Sequence, residues 1–237
     1  MIGLGTVINV VAIIVGGLLG KVCGGFLSKR YQETLNMACG VSVLFLGIAG
    51  ALEGMLTVEG TAVVSGQSML IVLSLVLGAL IGEFINLEDK FERFGEWLKR
   101  KTGNEKEANF VDAFVTASLT VCIGAMAIVG AIQDGIFGDY SILATKAVLD
   151  LIIILVMTGA MGKGCAFSAI PVAILQGTVT LLAGFIKPIM TEAALANLSM
   201  VGSILIFCVG VNMVWGKKVR VANLLPAIVI AVILAFV

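Results

Sequence analysis

Two ionisable residues stand one helical turn apart in a stretch that would otherwise dissolve in hydrocarbon. The segment Thr145–Gly164 reads TKAVLDLIIILVMTGAMGKG, with Lys146 and Asp150 near its start. If the helix enters the bilayer near Ser141, its rise puts Lys146 roughly 7 Å deep and Asp150 roughly 13 Å deep in a hydrocarbon core about 30 Å thick. The long stem of Lys146 could lift its ammonium back to the interface. The short side chain of Asp150 cannot escape, and a central aspartate costs about 2.5–3.5 kcal/mol to insert. It has to be paired, protonated or in contact with water. Residues four apart share a helix face, so the expectation is a polar Lys146–Asp150 face turned into a helical bundle. That face has two readings: a buried ion pair that fixes helix register, or a station on an ion or solute pathway.

Other polar residues could join it. Asn9 interrupts the first apolar run, Ser118 and Gln133 lie on the fourth, Gln176 on the sixth and Asn212 on the seventh. Asn9, Ser118, Gln133 and Gln176 are the expected neutral ligands around Asp150. Ser and Thr often satisfy their own helix backbone, and amides in membranes often bond between helices, so each also has a purely structural reading. Asp112 falls in a first helical turn, where the helix dipole favours it. Glu53, Glu59, Asp134, Asp139 and Glu192 fall near the loops that carry almost no positive charge, and are expected to form an acidic outer surface. Pro171 is placed to bend the sixth run.

Catalytic chemistry has little to work with. The chain contains no histidine, which removes His-based acid–base, nucleophile-pair and metal chemistry. Its five cysteines are spread singly through apolar runs and read as buried small hydrophobes. There is no GxSxG, HExxH, P-loop or dinucleotide pattern. No enzyme, cofactor or metal is expected, and zero net charge gives no reason to expect nucleic-acid binding.

The elements that would position these residues follow from composition. Of 237 residues, 59% are hydrophobic and 13% charged, against roughly half and a quarter in a soluble domain. The chain is expected to be an all-α polytopic bundle in one domain over 1–237. Eight candidate spans fall near 2–20, 36–56, 67–87, 110–133, 141–161, 164–186, 196–215 and 222–237. The last is short, so seven is the rival count. Thirteen basic residues fall in alternate loops and only Lys187 in the others. Positive charge marks cytoplasmic loops, which places the N-terminus outside and loop 88–109 inside. Within that loop Leu87, Phe91, Phe94, Trp97 and Leu98 share one helical face, predicting an interfacial amphipathic helix over 88–106. Its simplest role is a strap between two spans. The motifs GGLLGK (Gly16–Lys21), GALIGE (Gly78–Glu83) and GAMGKG (Gly159–Gly164) recur at equivalent span ends and suggest repeated helical hairpins. The GxxxG pairs Gly16/Gly20 and Gly78/Gly82 mark close helix crossings and make a homodimer an open expectation.

The central segment VDAFVTASLTVCIGAMAIVGAIQDGIFGDYSILATKAVLDL resembles the signature region of the YqgA/YdfK-like family. The opening GTVINVVAIIVGGLLG and the late LLPA (Leu224–Ala227) resemble it too. The resemblance covers essentially the whole chain. It implies a multi-pass protein of the bacterial cytoplasmic membrane, of a kind called a transport protein without further assignment, and it carries over no site residues. The expected function is a small secondary transporter or channel for an ion or small polar solute, with Asp150 loading a cation or proton. The alternative is a membrane scaffold or accessory subunit in which the polar residues only lock helices together.

Overall fold

The computed structural model describes residues 2–26 and 28–236; the side chain of Glu59 lies outside the description. The chain is helical, in the order α1 (Leu4–Gly25), α2 (Lys29–Met55), α3 (Ser68–Ile85), α4 (Leu87–Lys101), α5 (Phe110–Cys122), α6 (Ala125–Phe137), α7 (Ser141–Met161), α8 (Ala169–Leu181), α9 (Ala183–Ile186), α10 (Glu192–Trp215), α11 (Val221–Leu224) and α12 (Pro226–Ile233). Among the described residues six helical segments are long and apolar enough to cross a membrane. The α5–α6 pair, bent by 63°, makes a seventh span if counted as one, and Val221–Phe236 is a shorter apolar segment.

Two departures from the expected pattern have local causes. The loop after α2 is a hairpin, β1 (Leu56–Glu59) paired antiparallel with β2 (Ala62–Ser65). Its turn carries Gly60 at φ 66°, and its strand residues Thr57, Val58, Val63 and Val64 are β-branched. The fourth apolar run is not one straight helix. It breaks between Cys122 and Ala125, where Gly124 adopts φ 145°, a conformation open to glycine and strained for other residues.

The contacts group the chain into two compact units, and α2 and α4 each contribute residues to both. The first unit, comprising 1–39, 90–122 and 126–187, is built on α1 packed along α7, with α5, α8 and the 3₁₀ segment Lys163–Ser168 around them. Glycines set the approach of α1. A Cβ on Gly16 would stand 2.5 Å from the Leu151 carbonyl oxygen, one on Gly20 would overlap the Leu155 carbonyl, and one on Gly24 would meet Gly159 at 3.0 Å. Such backbone contact is how membrane helices gain packing where lipid removes the hydrophobic drive. The amphipathic helix α4 sets Phe94 edge-on to Phe114 of α5, at 5.8 Å between ring centroids, and buries Leu98, as a strap would.

The second unit, comprising 40–89, 123–125 and 188–237, pairs α3 with α11 and α12. Gly78 lies against the backbone of Ala227 and Gly82 against the carbonyl of Asn223. Both GxxxG pairs are therefore used in contacts inside the chain. At one end of this unit Asn223 donates to Glu83 at 2.5 Å and accepts from the Glu88 amide at 2.7 Å. Glu88 in turn takes the Ala222 amide at 3.0 Å and pairs with Lys217 at 3.0 Å. Asn212, a polar residue that could have joined the interior, ties down the next loop, bonding the Val219 carbonyl and the Lys218 and Val219 amides. The outward faces of α1, α2 and α3 remain apolar and exposed, with Leu18 at 59% and Phe84 at 92%. Faces of that size need lipid or a partner to cover them.

Candidate functional site

The Lys146–Asp150 pair lies within the first unit. Lys146 does not reach back to the interface. Its ammonium is buried and donates to Asp150 Oδ2 at 2.5 Å and to the Val121 carbonyl at 2.8 Å. Residue exposures are 7% for Lys146 and 3% for Asp150. The second bond depends on the break after Cys122. In an unbroken helix the Val121 carbonyl would accept from the amide four residues on; here α5 has ended. The ammonium thus stands at the carbonyl end of a half-helix, where the dipole favours a cation. Membrane transporters commonly build ion and solute sites from such interrupted helices.

Around the pair, α1 and α8 face each other in opposite directions. Thr6 and Thr180 approach to 3.5 Å through their hydroxyls, and eleven residues further along α1, Gly17 meets Ala166, which precedes α8. One turn inward from the Thr6–Thr180 contact lie Asn9 on α1 and Gln176 on α8, about 4.5 and 6 Å along their helix axes. Asn9 is 0% exposed and Gln176 1%. Neither atom of the Gln176 amide has a hydrogen-bond partner. The Asn9 amide sits beside the Asp150 carboxylate but outside hydrogen-bonding geometry, so its two polar atoms are unsatisfied as well. Buried polar groups are nearly always bonded, and leaving one unpaired costs about 1–3 kcal/mol. An unsatisfied amide next to a buried ion pair, with a second on the neighbouring α8, therefore marks a place able to take water or a hydrogen-bonding guest.

The other expected ligands fare differently. Ser118 is buried, but its hydroxyl donates to the Phe114 carbonyl of its own helix at 2.6 Å. Gln133 is half-buried on α6, and among the described residues no hydrogen bond joins it to the pair. Its neighbour Asp134 is the residue that sequence reasoning misplaced. Expected on an acidic outer surface, Asp134 is 0% exposed and accepts the Gly3 amide at 3.2 Å and the Gly5 amide at 3.0 Å. It closes the N-terminus of α1, where backbone donors have no helical partner. Pro171 does not bend a helix at mid-length; it lies in the first turn of α8, after the 3₁₀ segment, where proline is tolerated. Among the described residues no three His, Cys, Asp or Glu side chains converge to hold a metal ion.

The family model "Protein of unknown function (DUF554)" matches residues 4–236. The chain belongs to the DUF554 family. One DUF554 relative is an uncharacterized membrane protein, YdfK of Bacillus subtilis strain 168, 30% identical over 233 residues that make up 98% of this chain and 96% of that protein. Another is the uncharacterized protein YqgA of Escherichia coli K12, 29% identical over 235 residues, or 96% of this chain and 94% of that one. No solved structure matches. With its apolar helices, this DUF554 chain is a multi-pass membrane protein.

Proposed function

We propose that this protein is a small secondary transporter or channel for an ion or small polar solute, with Asp150 in its binding site. The observation that carries the reading is the unsatisfied amide of Asn9 beside the buried Lys146–Asp150 pair at an interrupted helix, with a second unsatisfied amide, Gln176, on the neighbouring α8. Asp150 would hold a proton or cation and Lys146 would set its charge state. Asn9 and Gln176 would supply neutral donors and acceptors. Ser118 and Gln133 could enter only after rearrangement. The charge asymmetry of the loops supports a cytoplasmic membrane orientation with the N-terminus outside and loop 88–109 inside.

A second reading has its own observation. Lys146 and Asp150 already satisfy each other and the Val121 carbonyl, as they would in a scaffold whose polar residues only lock helices.

Replacing the amides by apolar residues of similar shape separates the two. In a transporter, Asn9→Leu and Gln176→Met remove ligands and lower flux, while thermal stability holds or rises by about 1–3 kcal/mol because an unsatisfied group is gone. Flux is measured in proteoliposomes, with a pH-sensitive dye for protons and with solutes chosen by a thermal-shift screen of ions and small polar compounds. Flux that survives both substitutions and Asp150→Asn rejects the transport reading and leaves the scaffold.

A further inference from the structure

The first unit contains a groove of about 380 Å³ at the Lys163 end of α7. Lys21, Gln32, Glu107, Asn109, Thr158 and Lys163 lie along it, with backbone from Gly24, Gly159 and Gly162. Glu107 and Lys163 form an ion pair at its edge, both partly exposed. A polar lining residue is buried: Thr158 is 3% exposed, and its hydroxyl lies beside the Cys165 thiol without a hydrogen bond of normal geometry.

Further in, the pattern repeats. Ser168, at the end of the 3₁₀ segment, is 0% exposed and its hydroxyl has no partner. Two turns along α8 from Ser168 comes the unsatisfied Gln176 amide, and on α1 the Asn9 amide lies beside Asp150. Buried polar atoms lacking a partner thus succeed one another from the groove to the ion pair, along α7, the 3₁₀ segment and α8. Buried sites of this kind are ordinarily satisfied by water. Among the described residues the opposite end of the unit offers no such sequence. There Asp134 takes the α1 amides and Thr6 meets Thr180, while Gly5 lies against Leu143.

We propose that this groove is the water-filled entrance to the Asp150 site, that Thr158 and Ser168 line the way in, and that the Glu107–Lys163 pair is its gate. The inference rests on the transport reading for its purpose, but not for its test. In this structure the way is narrow. Gly16 and Gly20 touch the α7 backbone and Gly17 touches Ala166, so passage needs α1 to shift along that glycine surface. Access is one-sided, from the groove end. The site has no excess charge once Lys146 is counted, and its free amides offer donors and acceptors in equal measure. That favours water, a proton carried along water, or an uncharged hydrogen-bonding solute over a bare metal cation.

The experiment is cysteine accessibility in membrane vesicles, with the five native cysteines replaced. Thr158→Cys, Ser168→Cys and Thr6→Cys are each treated with a membrane-impermeant thiol reagent from either side. Lys106→Cys and Ser141→Cys report which side is which. Thr158→Cys and Ser168→Cys should react from the Lys106 side only, Thr158→Cys faster, and Thr6→Cys from neither. Adding Glu107→Gln should speed the reaction at Ser168→Cys by up to about fivefold, the range expected for a partly exposed ion pair. Reaction of Ser168→Cys from the Ser141 side, or from neither side, overturns the route. No effect of Glu107→Gln overturns the gate. The expected labelling without flux for any solute keeps the water route and rejects transport. Flux that needs Asp150 while Ser168→Cys stays unreactive keeps transport and rejects the route.

Discussion

Asp150→Asn changes one oxygen to an amide and leaves the volume almost unchanged, so its effect isolates the charge. Lys146 is 7% exposed and has two acceptors, the carboxylate at 2.5 Å and the Val121 carbonyl at 2.8 Å. With an amide in place of the carboxylate, the buried ammonium keeps only neutral acceptors, the Val121 carbonyl and the new amide oxygen, and has no counter-charge. Removing one member of a buried pair costs about 3–5 kcal/mol. Replacing both members by apolar residues, Lys146→Met with Asp150→Leu, removes the desolvation penalty along with the attraction, and such swaps are often neutral or better. The expected signature is therefore non-additive. The single variant loses on the order of 10 °C in melting temperature, and the double variant recovers most of it. Thermal unfolding of the detergent-purified protein, read by size-exclusion fluorescence, compares wild type, Lys146→Met, Asp150→Leu and the double variant as the four corners of the cycle, with Asp150→Asn as a separate charge-only single. A coupling near zero, or a loss under about 1 kcal/mol in Asp150→Asn, would mean that water screens the pair. The pair would then be in contact with solvent.

Three further outcomes follow from the geometry. Gly20→Ala drives a Cβ into the Leu155 carbonyl and the Thr158 side chain, and should destabilise by about 1–3 kcal/mol; Gly177→Ala, with nothing among the described residues within 4 Å, should not, and equal melting temperatures would refute the close α1–α7 contact. Asp134→Ala strips two acceptors from the buried start of α1 and should cost about 2–3 kcal/mol with early exchange of the first α1 amides; unchanged protection there would contradict the cap. Asp139 accepts the Ser141 hydroxyl at 2.5 Å and the Ser141 amide at 3.0 Å, which hold its carboxyl below the usual range, the hydroxyl contributing most. A carboxyl lowered on folding contributes stability above its unfolded pKa and loses it as pH falls through the folded one, so Asp139→Asn should flatten a small loss of melting temperature below about pH 4, and an identical pH profile would show that the Ser141 bonds contribute nothing.

What could be read from residues alone was whatever repeats within one helix. The apolar runs fall close to the helices because span length is set by the bilayer, and the i, i+4 spacing put Lys146 beside Asp150. The amphipathic face of α4 was equally local. The missing parts are those that no repeat within one helix encodes. Asp134 looks like a loop carboxylate until α1, about 130 residues earlier, brings its amides to it. Val121 offers an acceptor only because α5 stops, and the sole local hint was Gly124. Ser118 looked like a ligand because an outward and a self-bonded hydroxyl are indistinguishable in a sequence. The β1–β2 hairpin hid in residues that also suit the flank of a span.

The close fit of α1 against α7 has a consequence for biosynthesis. About 136 residues separate the end of α1 from the end of α7, which at 5–20 residues per second is a delay of roughly 7–27 s on the ribosome. Throughout it the first helix waits in the membrane with Asn9 and its glycine groove uncovered. A chaperone or insertase that shelters a polar helix would have its longest opportunity there, and a chain stalled before Met161 would leave that helix as the exposed signal for proteolysis.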